Sequence, residues 1–418
     1  MPKYILMRNL IIWLKNNKKL IYFLNAYRFV FRKKNEVLAL ISTLFLCYSG
    51  LSKSSVPKIW VGWRSFLLRI LGVNYSSKFS LSEPHHFSAL GVFENITKIH
   101  YADNAEGPLS VIRNPFNAVD THTYFWRPRR NYELQNVVFD PKSSLVLING
   151  MVVSESSHRF PDVDLWSTNL AWRCKNAKGY NTPCSGIGWA FNYHHWLTED
   201  LASVLRIRRQ FGTDIPFITP TKLARFQVEA LDLLGVKRIE SAKPLLCSKF
   251  LLAGQHQRSE AALRPSELEF LRQAFLPLVD CDNKNKNLDI YVSRSKTSRK
   301  ERLLVQEKEL EELLKNLGFM VVWTEDMSFA EEIALFAQAR TIVGILGSGL
   351  ANHLWMPPGG KVIVVHFDDY FDPSGDYTAP LLGLEISHID CREESINTPA
   401  QKIMKKICAC MDNLVIKH

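Results

Sequence analysis

The sequence predicts an α/β fold built as two halves, and three observations carry that prediction. A chain of 418 residues exceeds what one ordinary hydrophobic core holds, so two domains are expected. Short apolar runs of strand length alternate with longer amphipathic runs, the pattern of strands joined by helices. A polar, Asn/Lys-rich run from Asp280 to Asn287 separates two such series and marks a boundary.

Residues 1–140 contain a basic helical region followed by polar, turn-rich stretches such as Glu83-Pro84-His85-His86 and Arg127-Pro128-Arg129-Arg130. They are assigned to an α-helical, basic N-terminal extension with an irregular accessory segment. The first α/β half, 141–280, starts at Ser144–Ile148, a short buried-strand pattern. A helix from His195 to Arg209, a strand at Ile215–Thr219 and a helix from Leu223 to Leu234, stopped by Gly235, follow; Val236–Ile239 and Phe250–Leu252 are strand-like. The second half, 281–400, is more regular. Asp289–Val292 is a strand, Val305–Leu317 a helix closed by Gly318, and Phe319–Trp323 the next strand. Ser328 with Glu331 three residues on makes a capping box for a helix ending near Ala339. Thr341–Leu346 is a strand, Gly347-Ser348-Gly349 a loop, Leu350–Trp355 a short helix, Lys361–His366 a strand, and 401–418 a terminal helix. Alternation of this regularity indicates a parallel sheet covered on both faces. Two such halves leave a cleft between them, where small ligands usually bind.

Composition narrows the function classes. With 46% apolar and 22% charged residues the chain belongs with folded globular proteins. Its 52 Lys+Arg against 41 Asp+Glu give a net charge of +11, which suits an anionic partner such as a nucleotide diphosphate or a lipid surface. No zinc-finger spacing, RNA-recognition signature or Arg-rich tract supports nucleic acid. Eight scattered cysteines do not make a disulfide scaffold and fit a reducing cytoplasm, although Cys174 and Cys184 could pair in an oxidising compartment. Cys408-Ala-Cys410 lacks the spacing of a zinc site. Near the N-terminus, basic residues interrupt the apolar runs too early for a signal peptide or a span. The longest uncharged stretch, Val37 to Leu51, is about five residues short of the roughly 20 a spanning helix needs. Residues 1–50 could instead lie on an anionic membrane surface, or pack as an ordinary helical hairpin.

Three groups could carry chemistry. Gly347-Ser348-Gly349 follows a strand and opens a helix, so a diphosphate can approach its backbone at the helix N-terminus; a tight turn is the plain alternative. Ser293 and Arg294 sit at the carboxyl end of a strand, where ligands of open α/β sheets collect, and the planar guanidinium of Arg294 is suited to phosphate oxygens. Lys296, Arg299, Lys300 and Arg302 follow closely and add positive field. In Asn192-Tyr193-His194-His195-Trp196-Leu197-Thr198-Glu199-Asp200, helical spacing puts His195 and Glu199 on one face. An imidazole beside a carboxylate is a plausible general-base unit, and a structural histidine at a helix start is the alternative. Asp162-Val163-Asp164 has the form of a metal-holding Asp-x-Asp but lies in a Pro-bearing polar stretch. Asp368-Asp369-Tyr370-Phe371-Asp372 reads as a turn.

Taken in order, Tyr291-Val292-Ser293-Arg294, Arg302, Glu307, the run Ala339 to Asn352 and Trp355-Met356-Pro357-Pro358-Gly359 resemble glycosyltransferase family 61. Tyr193-His194-His195-Trp196 with Glu199 is similar to that family's upstream motif. The resemblance covers roughly 145–370. It implies a GT-B-like architecture, two Rossmann-like domains facing a cleft, with 141–280 the acceptor half and 281–400 the nucleotide-sugar donor half. It also implies inverting transfer from a nucleotide sugar, usually a UDP-sugar, and a glycan or lipid-linked glycan is the expected acceptor. Arg294 and the glycine-loop amides can meet the charge on the departing diphosphate, so no metal is required, although a divalent metal stays open. Carried over by position, Ser293, Arg294, Arg302, Gly347, Ser348, Gly349, Leu350 and Asn352 would hold the donor. His195, Glu199 and Asp200 would supply the catalytic groups, and His194 and Trp196 would face the acceptor. The sequence departs from the family at Leu346, where His is usual, at Ser348, where Ala is usual, and at Val364, where Glu is often found. A non-catalytic carbohydrate-binding protein on the same fold, or a pyruvyl or phosphosugar transferase, therefore stays open.

Overall fold

The computed structural model describes residues 78–79, 96–103, 110–124, 129–148, 151–156, 177–187, 192–254, 263–280, 287–297 and 302–412. The basic N-terminal segment, Asp162-Val163-Asp164, the core of the polar break, Arg299 and Lys300 lie outside them.

The earlier half holds a ten-stranded mixed sheet. Its strands are β1 (Lys78–Phe79), β2 (Ile96–Asp103), β5 (Arg129–Asp140), β6 (Leu145–Ile148), β7 (Met151–Val153), β8 (Lys178–Tyr180), β9 (Cys184–Gly186), β10 (Phe217–Thr219), β11 (Arg238–Glu240) and β12 (Leu245–Ala253). Between β2 and β5, the strands β3 (Ser110–Asn114) and β4 (Asn117–Tyr124) pair as a separate antiparallel hairpin.

A uniformly parallel, Rossmann-like sheet was expected here, and the structure corrects that. β5 runs antiparallel to β2, β6 and β12, while β12 pairs parallel with β8 and β9, and β9, β10 and β11 continue in parallel. The reason is connection length. Between β5 and β6 the chain turns within a few residues, with Asp140 accepting from the Ser143 amide and hydroxyl, and a connection that short can join only antiparallel neighbours. β5, the longest strand, lies in the stretch expected to be irregular. Cys184 is a buried free thiol.

The expected long helix is present, in three contiguous pieces: α1 (Tyr193–His195), a π-helical turn (Trp196–Leu201) and α2 (Ala202–Phe211). The side chain of Asn192 caps it by accepting from the His195 amide at 3.3 Å. Helices α3 (Arg225–Leu233) and α4 (Pro265–Phe275) complete this half.

The later half matches its expected alternation closely. Strands β13 (Leu288–Val292), β14 (Met320–Val322), β15 (Ala339–Ile345), β16 (Lys361–His366) and β17 (Glu385–Asp390) form one parallel sheet in the order β14-β13-β15-β16-β17. All six residues of β16 are buried, as a strand covered on both faces requires. Side chains divide by period two: Tyr291, Val343, Ile345, Ile363 and Val365 pack with α5 (Glu307–Asn316) and α8 (Ala400–Asp412). Ile290, Val292, Ile342, Val362 and Val364 face the other side, towards α6 (Phe329–Phe336) and the 3-10 segment Ser348–Trp355. Helix α7 (Ser374–Leu381) precedes β17. The Ser328–Glu331 capping box forms as expected, and the helix it starts ends at Phe336.

The halves share one apolar core. Phe275 of α4 meets Phe329 at 5.3 Å and Trp355 at 5.9 Å between ring centroids, and Trp196, Leu197 and Leu231 join the same cluster. Burial of large aromatic rings on this scale fixes one half against the other.

Candidate active site

The order of the second sheet predicts where a ligand sits. Numbered within that sheet, β13 to β17 run 2-1-3-4-5, so the connections leave in opposite directions between β13 and β15. Open α/β sheets bind ligands at that reversal, outside the carboxyl ends of the strands. The loop after β13 carries Ser293 and Arg294, and the loop after β15 carries Leu346 to Gly349. A cavity of about 350 Å³ opens there, lined by both loops and by Asn192 to His195 of the first half.

Arg294 lies directly on Gly347. A Cβ at Gly347 would stand 2.1 Å from Arg294 Nη1. The backbone at Gly347 is extended, with φ −179°, so the glycine is demanded by space and not by conformation. Ser348 and Gly349 begin the following 3-10 segment, whose first amides have no partner within the helix and are suited to an anion. Arg302 supports the loop from its other side by donating from Nη1 to the Leu346 carbonyl at 3.1 Å, with its guanidinium 4.9 Å from the Tyr370 ring centroid.

Ser293 lines the cavity, yet its hydroxyl is turned towards helix α5. It donates to Glu311 Oε1 at 2.6 Å and approaches Glu307 Oε1 at 3.2 Å, and the same Glu307 oxygen accepts from the Arg294 amide at 2.5 Å. Burial pushes the Glu307 carboxyl above its ordinary range, with these donors working against the shift. Glu307 and Glu311 therefore hold the Arg294 turn in shape from beneath.

The first half supplies the other wall through α1 and the π turn. Tyr193 OH donates to Asn352 Oδ1 at 2.8 Å, and Asn352 Nδ2 donates to Glu332 Oε2 at 2.7 Å. Asn352 is fully buried and ties the two halves together. Burial pushes the carboxyl of Glu332 up to about 8. His195 Nδ1 and Glu199 Oε1 are 2.6 Å apart; His195 lies at the cavity with half its side chain exposed, whereas Glu199 is buried behind it. His194 also lines the cavity, and burial moves its pKa down while Asp372 works the other way.

Two residues grouped with these by sequence lie elsewhere. Trp196 is wholly buried in the shared core. Asp200 lines a separate small cavity of about 20 Å³ beside Phe139, Ser156 and Ser203. Adjacent positions on a helix point about 100° apart, so a motif contiguous in sequence cannot all face one pocket. Leu350 is buried at the cavity edge, and Leu346 and Val364, which stand where the resemblance expects His and Glu, both line the cavity.

Sequence reasoning missed Glu332, Asp376 and His388, which also line the cavity. Glu332 sits one residue after the capping-box glutamate and carries no local mark; only packing against Tyr193 and Asn352 distinguishes it. In the turn after β16, Asp369 pairs with Arg392 at 2.7 Å and Asp368 lies 3.5 Å from Arg302. Asp372 accepts from the Ser374 amide and hydroxyl. Among the described residues no group of three His, Cys, Asp or Glu side chains is placed to hold a metal ion.

No curated protein matches the chain. Residues 193–363 match the family model described as Glycosyltransferase 61. That stretch begins at the tyrosine that ties the two halves together and ends inside the buried strand β16, so it takes in His195, Arg294 and the glycine loop. Over these residues the chain is similar to glycosyltransferase family 61, and the match supports membership of that family and a glycosyltransferase activity.

Proposed function

We propose that the chain transfers a sugar, a hexose or pentose, from a nucleotide sugar to a hydroxyl of a glycan or lipid-linked glycan. A UDP-sugar is the first donor to test, and the reaction is an inverting, metal-independent displacement in surface polysaccharide synthesis. The observation that carries this reading is the Arg294 guanidinium lying on Gly347 at the reversal of a parallel sheet, in one cavity with His195. On this reading the two sheets act as the acceptor and donor halves of a GT-B-like enzyme in the cytoplasm, docked on the membrane through residues 1–50.

The geometry supports the following roles. Arg294 and the amides that open the Ser348–Trp355 segment meet the charge that develops on the departing diphosphate, where preorganised donors act most strongly. Glu199 holds His195 through Nδ1, and Nε2 is the ring nitrogen proposed to take the proton from the attacking hydroxyl. The carboxylate orients the ring and stabilises the imidazolium as it forms. Ser293 serves through the Glu307–Glu311 support and not by direct contact.

A panel of UDP-, GDP- and CMP-sugars, read by donor hydrolysis and by transfer to glycan acceptors, tests the proposal. Turnover of one donor with loss of the anomeric bond supports it. A pure chain that neither binds nor hydrolyses any nucleotide sugar refutes it. Equal recovery with anionic liposomes of the full chain and a chain lacking residues 1–50 refutes the membrane contact alone.

A further inference from the structure

The cavity wall formed by α7 and β17 has no role in the mechanism above, yet it carries a built polar group. Asp376 Oδ1 accepts from His388 Nε2 at 2.8 Å, and His388 Nδ1 lies 2.9 Å from His366 Nε2. His388 donates through Nε2 to the carboxylate, and its Nδ1 shares the second contact with His366, so both rings brace the carboxylate from behind as one hydrogen-bonded chain. Burial and the neighbouring His388 lower the His366 pKa to about 4, which keeps that ring neutral.

The chain is sealed on its far side. Phe116, at the tip of the β3–β4 hairpin, meets the His366 ring edge-on at 4.8 Å, and Arg392 covers the Phe116 ring at 4.6 Å. With one oxygen held by this chain, the orientation of the Asp376 carboxylate is set. Its other oxygen, Oδ2, is shielded from solvent and receives no hydrogen bond among the described residues, although Asp376 lines the cavity. A buried acceptor left in that state is costly, and a donor arriving with a ligand would relieve the cost.

The surroundings say which donor. Val362 and Val364 of β16 pair in register with Ile386 and His388 of β17, so apolar side chains floor the cavity next to the carboxylate. A sugar ring presents an apolar C–H face and a polar edge of hydroxyl donors, which matches an apolar floor bordered by a fixed acceptor. A phosphate would be repelled by the same carboxylate, which places the diphosphate with Arg294 and leaves the sugar for this wall. On the sugar-transfer reading given above, the geometry points to Asp376 as the residue that accepts hydrogen bonds from hydroxyls of the transferred sugar, oriented by His388 and His366.

The test compares an intact nucleotide sugar with its bare nucleotide. Binding of UDP, GDP and CMP and of their sugars is measured by calorimetry on the full chain, the Asp376→Asn variant and the Asp376→Ala variant. Both variants should bind the bare nucleotide as the wild type does, which also shows that they are folded. Both should bind the intact sugar donor about ten-fold or more weakly, the size of a lost contact to a charged group. Unchanged binding of the sugar donor by both variants overturns the assignment of Asp376. So does an equal loss for donor and bare nucleotide, which would mean a general structural role. A wild-type chain that binds no member of the panel overturns the sugar-transfer reading itself, and the Asp376 assignment with it.

Discussion

Replacing Gly347 by alanine tests the proposed donor site through a single methyl group. The new Cβ would stand 2.1 Å from Arg294 Nη1, so one of the two must retreat by more than an ångström. The backbone does not resist the substitution, because φ −179° is open to any residue. The far end of an arginine side chain moves more easily than a strand-end loop, so the guanidinium is displaced and the fold is kept. One charge-assisted hydrogen bond is worth about 1.5–3 kcal/mol, which corresponds to roughly 10- to 150-fold in nucleotide affinity. Calorimetry with the bare nucleotide of the active donor measures this. Global stability should change by less than about 0.5 kcal/mol, as for a substitution without core damage. Gly179→Ala is the control, since a Cβ there meets nothing within 4 Å. In an Arg294→Ala background the Gly347→Ala change should add almost nothing, because its effect passes through the missing guanidinium. The reasoning is refuted if Gly347→Ala binds nucleotide like the wild type, or if it costs as much without Arg294 as with it.

Three further outcomes follow from the same site. Glu199→Gln should lower turnover by ~10²–10⁴-fold with nucleotide binding intact, and near-normal turnover would remove the His195–Glu199 pair from proton transfer. Tyr193→Phe leaves Asn352 Oδ1 without its donor across the seam and should cost about 1–3 kcal/mol in denaturant unfolding; an unchanged midpoint would show that the bond does not join the halves. Glu332 ties stability to pH. Its carboxyl is raised from 4.5 to about 8, so between those values the unfolded chain releases a proton that the folded one keeps, and the stabilisation present at low pH is lost as pH rises. Glu332→Gln has no such proton. Its unfolding midpoint should gain on the wild type between about pH 5 and pH 9, by on the order of a few kcal/mol in stability, whereas parallel midpoints across that range would refute the buried, protonated state.

The second sheet was legible because its rules are local. Buried parallel strands are continuous apolar runs, as in Lys361–His366, and helices announce themselves by caps such as Ser328 with Glu331. Arg294 and the glycine loop were legible for a related reason: strand ends in such a sheet converge on one crevice whatever the rest of the chain does. The mixed first sheet was not legible, because the pairing of β5 with β2 and β12 joins residues far apart in sequence and leaves no local period that tells antiparallel from parallel. Contiguity misled at Trp196 and Asp200, since a helix turns successive side chains to different faces and only packing decides which face meets the cavity. Glu332 and the Asp376–His388–His366 chain illustrate the same division. Sequence alone determined the residue types, the parallel second sheet and the loops at the carboxyl ends of its strands. Tertiary structure decided which acids are buried, which ring nitrogens are engaged and which side chains share the cavity, because burial and hydrogen-bond partnership are set by neighbours distant in the chain.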